Sequence, residues 1–278
     1  MHSSPALGML LPIPLLLAAP AAASTVSQPA AGQPATLHMA YTGTALGLRV
    51  LHVDADLVMD AADYRIDVSF RTAGLLALFV GADFHSTAWG VWRNDQAEPT
   101  RFWSWGQLRG RPRETLIDYR GGQPIVSRLT PPNESDDRDP VPPAEREAAI
   151  DTLSALVFLV HEVAMTGTCE GAERVFDGRR LTEIDVHTAG EVAMPRGAAG
   201  TYAGETLRCD FTGRELAGFK RDGSDWQHQP HNGEAWLGQV VPGGPPIPVR
   251  LDFGTRWLSN VTMVLDAVGP GPMPEPPR

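Results

Sequence analysis

Apolar and polar residues alternate along much of this chain with the two-residue period of strands that bury one face. The pattern is clearest where Tyr64, Ile66, Val68 and Phe70 interleave with Arg65, Asp67 and Ser69. Leu46, Leu48 and Val50, then Val53, Ala55 and Leu57, repeat it with a phase change at Val50–Leu51, the mark of a β-bulge. Residues 36–71 are therefore expected to form a long first hairpin. Further strands are expected at 85–92, 102–109, 115–120, 124–129, 181–187, 206–211, 249–253 and 257–265. Most of the connections are short and carry Gly, Asp or Asn, as in antiparallel sheets.

One segment changes period. Leu153, Leu156, Val157, Val160, Val163 and Ala164 fall on one helical stripe behind Asp151, a capping residue, and Gly167 ends the run just before Cys169. The acidic, proline-rich stretch 131–148 leads to it and reads as a long exposed loop. A helix with one apolar stripe and a His161–Glu162 pair is a core helix rather than a membrane span. The expected fold is mainly β: a curved antiparallel sheet, an open or closed barrel, with the helix 151–166 packed on its concave face.

The ends have a different character. Residues 1–23 combine the apolar run from Met9 to Leu17 with Ala21-Ala22-Ala23, the arrangement of a cleavable signal peptide, although only His2 supports the amino-terminal charge. Cleavage after Ala23 would leave a flexible lead-in (24–35), one β-rich domain (36–268) and a disordered proline-rich tail (269–278), with no membrane-spanning segment and a periplasmic location. Two cysteines in an exported chain imply a disulfide, Cys169–Cys209, whose 40-residue span stabilises by on the order of 4 kcal/mol in the loop-closure model.

Charge narrows the partners. With 23 basic and 33 acidic side chains the net charge is -10, which argues against nucleic acid and against an anionic membrane surface as main partner. No Walker loop, dinucleotide fingerprint, Gly-x-Ser-x-Gly elbow or His-Glu-x-x-His helix occurs, so neither a catalytic residue nor a cofactor is assigned. His52, Asp54 and Asp56 share one strand face, as metal ligands can, but that face is the solvated one. His228 and His231 flank a proline in a polar loop. Residues 133–139 hold acidic side chains without the glycine turn of a calcium loop. No metal site is assigned. Trp103 and Trp105 alternate onto one strand face, with Trp89 and Trp92 on a neighbouring strand; such rings serve as core, and on a curved sheet they also line a ligand cavity.

A set of short motifs has a familiar order: Asp151-Thr152-Leu153-Ser154-Ala155-Leu156, Gly167-Thr168-Cys169, Val175-Phe176-Asp177-Gly178-Arg179-Arg180, Tyr202-x-Gly204-x4-Cys209 and Pro248-Val249-Arg250. From about Tyr41 to Leu265 the chain resembles the exported bacterial family known as domain of unknown function 3108, with Thr152 where that family is expected to carry proline. The resemblance implies a periplasmic β-rich protein with paired cysteines and no established activity. It marks Asp177, Gly178, Arg179 and Arg180 as a family-like motif, while Asp-Gly by itself reads as a hairpin turn. The leading functional expectation is a non-enzymatic periplasmic binding protein for a lipid or other apolar or amphipathic envelope molecule. An envelope hydrolase with a dispersed site is the alternative, and a structural or partner-binding protein the third.

Overall fold

The computed structural model describes residues 36–135, 137–256 and 259–270. The expected signal peptide and lead-in lie outside these residues, as do Trp257, Leu258 and the chain beyond Pro270. Seven strands come first: β1 (Leu37–Ala45), β2 (Leu48–Met59), β3 (Asp63–Thr72), β4 (Ala82–Arg93), β5 (Gln96–Leu108), β6 (Arg111–Arg120) and β7 (Gln123–Thr130), with a one-turn helix α1 (Leu76–Phe79) between β3 and β4. The long helix α2 (Thr152–Thr166) follows. Six more strands follow among the described residues: β8 (Gly171–Phe176), β9 (Leu181–Ala199), β10 (Tyr202–Ala217), β11 (His231–Gly238), β12 (Ile247–Thr255) and β13 (Ser259–Pro270).

All thirteen form one antiparallel sheet in the order β7-β6-β5-β4-β3-β2-β1-β13-β12-β11-β10-β9-β8. Each half is a meander of chain neighbours, and the pairing of β1 with β13 joins the halves. The sheet curls into a nearly closed barrel around α2, which packs against β3, β4 and β5 in one half and β8 in the other. The two free edges, β7 and β8, are bridged by residues 131–151. Ile150 hydrogen bonds with the β8 backbone on both sides (Ile150 N to Arg174 O, 2.9 Å; Phe176 N to Ile150 O, 2.8 Å). Arg179 donates to Pro131 O at 2.6 Å, and Arg138 to Gly218 O at 2.6 Å. Covering an edge in this way blocks further strand pairing.

The expected hairpin over 36–71 is instead a three-stranded meander with two turns. Leu46 and Leu48 do not extend an alternating strand. Leu46 sits in the β1–β2 turn with φ 51°, and both side chains are exposed. The bulge lies at Val50, because Gly43 pairs with Leu51 while Thr44 pairs with Arg49. Described residues of the stretch 131–148 are mostly exposed, as expected of a loop, but Val141 within it is buried, and Ala149 and Ile150 just after it are buried where the chain meets β8. Gly269 and Pro270 belong to the domain rather than the tail, since they pair with His38 and Leu37 at the end of β13. β8 and β11 were not expected. In β11 the residues Ala235, Trp236, Leu237 and Gly238 are all buried, so burial on both faces erases the alternation. The β9–β10 hairpin is far longer than expected and reaches across to β13, where Thr201 N donates to Leu265 O at 3.1 Å. Gly200 has φ 59°, and a Cβ there would lie 2.0 Å from that same oxygen, so only glycine fits the tip.

Candidate functional site

α2 is held at both ends. The Asp151 carboxylate accepts from Leu153 N (3.1 Å), Ser154 N (2.9 Å) and Ser154 Oγ (2.7 Å), and Gly167 in the left-handed conformation ends the helix. Just beyond, Cys169 is disulfide-bonded to Cys209 on β10, and its N–H donates to Thr188 Oγ1 at 2.9 Å. The stripe Val157, Val160 and Val163 is buried against the inner face, with Leu153 and Leu156 partly buried beside it, whereas Ala164 faces outward.

The cap is itself buried. Burial pushes the Asp151 carboxyl up to about 6, against the pull of its four hydrogen-bonding groups. The phenols of Tyr64 and Tyr119 approach it from β3 and β6. Burial raises both of them, and the Asp151 charge adds to the effect. The Tyr64 hydroxyl interacts with the Ser154 side chain and the Tyr119 hydroxyl with the Asp151 carboxyl, so both phenols join the capping group. Tyr64 reaches this position by lying across Gly90, where a Cβ would stand 2.3 Å from the phenol. Further along the helix, His161 stacks on Trp92 with ring centroids 3.9 Å apart.

Between α2 and the inner face lies a cavity of about 110 Å³. Met39, Tyr41, Val53, Ala55, Leu57 and Met263 form its sheet wall and Leu153, Leu156, Val157 and Val160 its helix wall. Trp103 and Trp105 are not part of it. On β5 the inner positions belong to Phe102, Ser104 and Gly106, so both tryptophans point to the outer face. There they pack on each other (4.3 Å), Trp105 stacks on His85, and Trp103 Nε1 donates to Glu114 at 3.0 Å. Indole N–H groups need a polar partner, and the outer face supplies one. The cavity is built by the alternating sets of β1, β2 and β3 together with the helix stripe. Each set is visible in the sequence, but nothing there shows that they face one another.

The other sequence candidates are also on the outside or at the barrel end. His52, Asp54 and Asp56 line the outer face of β2, with His38 Nδ1 2.8 Å from Asp56 and His52 3.3 Å from Asp54. His228 packs at a tilt on Phe219, His231 stacks on Trp226, and His231 opens β11 rather than lying in a loop. Asp137 and Asp139 face Arg221. Asp177-Gly178-Arg179-Arg180 is the β8–β9 turn. The Asp177 carboxylate accepts from the amides of Arg179 (2.9 Å) and Arg180 (2.7 Å). Burial raises its pKa, but the Arg180 charge and these amides outweigh burial and hold it below the usual range. Gly178 (φ 91°) abuts Thr115 of β6, where a Cβ would lie 2.4 Å from Cγ2, so the turn seats one half of the barrel against the other.

A larger, polar cleft of about 560 Å³ lies on the outer side of β9–β13. In it His187 stands 4.0 Å from Asp210, whose two oxygens are already engaged by Arg208 (2.8 and 3.1 Å). Its described lining contains no serine or cysteine; its side-chain hydroxyls are those of Thr212, which donates to Asn232 Oδ1 at 3.0 Å, and Thr262. Rows of ion pairs, among them Arg65–Asp67 and Arg250–Asp252, cover the outer face, unlike the apolar band of a lipid-facing barrel. Among the described residues no helix is long and apolar enough to cross a membrane, and no group of three or more His, Cys, Asp or Glu side chains is arranged to hold a metal ion.

No curated protein matches this chain. Among solved structures, it is similar to the crystal structure of a beta-barrel-like protein of domain of unknown function DUF1849 from Brucella abortus. The identity is 10%, the match covers 85% of this chain and 98% of that one, and the TM-score is 0.46. The family model described as "Protein of unknown function (DUF3108)" matches residues 36–266, nearly the whole barrel, and the chain belongs to that family.

Proposed function

We propose that this protein is a non-enzymatic binding protein for an apolar or amphipathic molecule of the cell envelope, working in the periplasm. The observation that carries this reading is the cavity beneath α2, walled by aliphatic side chains and enclosed between a helix and a curved sheet. At about 110 Å³ it approaches the ~150 Å³ of an apolar cavity known to admit benzene. It accommodates part of an acyl chain, and a longer chain requires α2 to move outward. Each methylene transferred from water contributes about 0.8 kcal/mol. The location is supported by the signal-peptide pattern of residues 1–23 and by the Cys169–Cys209 disulfide, which suits an oxidising compartment.

Native mass spectrometry of protein isolated from its own envelope tests both parts. A polypeptide beginning at Ser24, without covalent lipid and with a non-covalent apolar adduct, is the expected result. Because Trp103 and Trp105 are outside the cavity, Leu156→Trp supplies the reporter. Its emission should shift saturably with fatty acids or phospholipids, and Ala55→Leu, which fills the space, should weaken binding by about tenfold, equivalent to ~1.4 kcal/mol. Absence of both adduct and saturable signal rejects the reading.

A further inference from the structure

Strands alternate in direction, so the β1–β2, β3–β4 and β5–β6 connections lie at the same end of the barrel. They also touch. Ala73 N donates to Val50 O (2.9 Å), and Arg109 N donates to Gly81 O (2.6 Å). Leu46 stands on the first connection with Leu48 opening β2 beside it, and Leu75, Leu78 and Phe79 stand on the second, each 56–85% exposed. These five make up most of the exposed large apolar side chains among the described residues. Scattered single apolar residues are ordinary on a surface, but a cluster on neighbouring turns marks an interaction site. The cluster stands on turns, which project from the rim, so its shape is that of a wedge rather than a groove for a peptide.

The charge around the wedge is opposite to that of the chain. Residues 44–50, 71–83 and 107–113 contain Arg49, Arg71, Arg109, Arg111 and Arg113 against the single acid Asp83, within a protein of net charge -10. Apolar side chains with arginines on the same and adjoining turns have the composition of an interfacial membrane anchor, where the apolar groups enter the acyl boundary and the cations meet anionic headgroups.

We propose that this rim is a docking surface for a lipid bilayer bearing anionic headgroups. The proposal stands on the rim and does not require the cavity to bind a ligand, although the two are in apolar contact. Leu76 and Met263 pack together against the cluster of Ala45, Val50 and Val261, and Met263 also lines the cavity. In this proposal the local charge of the rim outweighs the whole-chain charge, because an interface responds to charge within about a Debye length of ~8 Å.

Flotation of the purified protein with phosphatidylethanolamine–phosphatidylglycerol vesicles, and separately with phosphatidylcholine vesicles, tests it. The protein should float with the anionic vesicles. Leu78→Glu with Phe79→Glu should reduce partition about tenfold or more, and Arg109→Glu with Arg111→Glu should remove the preference for anionic lipid. All four positions are exposed, so melting temperatures should be unchanged. Phe79→Trp gives an independent reading, since brominated lipid should quench its emission. Failure of the parent protein to float, or flotation of the rim variants equal to the parent, overturns the proposal. So does a rim whose substitution abolishes self-association rather than vesicle binding. A protein that floats without any cavity ligand upholds the docking surface alone.

Discussion

Asp151 shows how much one residue carries in this fold. As a capping residue it is legible in the sequence, two positions ahead of a helical stripe, but its complete burial is not, because the side chains that enclose it come from β3 and β6. Its carboxyl titrates near 6 in the folded protein and about 4 when unfolded. The unfolded chain therefore releases this proton first as pH rises, and the favourable contribution present below about pH 4 is lost by the time pH passes 6. The expected size is on the order of 3 kcal/mol. Asp151→Asn keeps the capping oxygen and an amide for Ser154, and removes the titration. Urea denaturation between pH 4 and 7 should show the parent losing stability relative to Asp151→Asn as pH rises. Parallel pH profiles would refute the linkage.

At the level of elements, α2 owes its position more to its ends than to its length. Fifteen residues are marginal as an isolated helix. Docking of the valine stripe and the bond from Cys169 to β10 settle its place. Replacing both cysteines by alanine, which avoids stray thiol chemistry, should cost about 2–5 kcal/mol in chemical denaturation. Hydrogen exchange should quicken over the last two turns of α2, with smaller changes in β1 and β2; uniform protection would mean the bond does not hold the helix. Helix limits and cap were readable because they depend on neighbours along the chain. β11 was hidden because both of its faces are buried, and the tryptophans of β5 were ambiguous because Phe102 on one face and Trp103 and Trp105 on the other are all large and apolar.

The whole molecule depends on how the barrel closes. β7 and β8 are joined through residues 131–151, and Arg138 of that strap, its side chain 14% exposed, reaches Gly218 O at 2.6 Å and Glu215 at 3.5 Å. Arg138→Ala should cost about 1.5–3 kcal/mol, as for hydrogen bonds to a charged group, and leave the partly buried Glu215 facing one cation fewer. Arg221, more than half exposed beside Asp139, offers the comparison. Its removal should cost less than about 1 kcal/mol. Equal losses in the two variants would show that the strap does not close the barrel.

The sequence by itself determined the class of structure: antiparallel strands, one capped core helix, the bulge at Val50, the paired cysteines and the Asp177–Gly178 turn. Those features are set by side-chain period, turn chemistry and capping, which act over a few residues. Tertiary structure alone decided that β1 pairs with β13, that residues 131–151 seal the edges, that Trp103 and Trp105 lie outside while Ala55 and Met263 line the cavity, and that five apolar side chains gather among arginines at one rim. Alternation defines two faces of a strand. Which face becomes the interior is decided when the helix docks and the sheet closes, through contacts between residues as distant as Leu37 and Pro270.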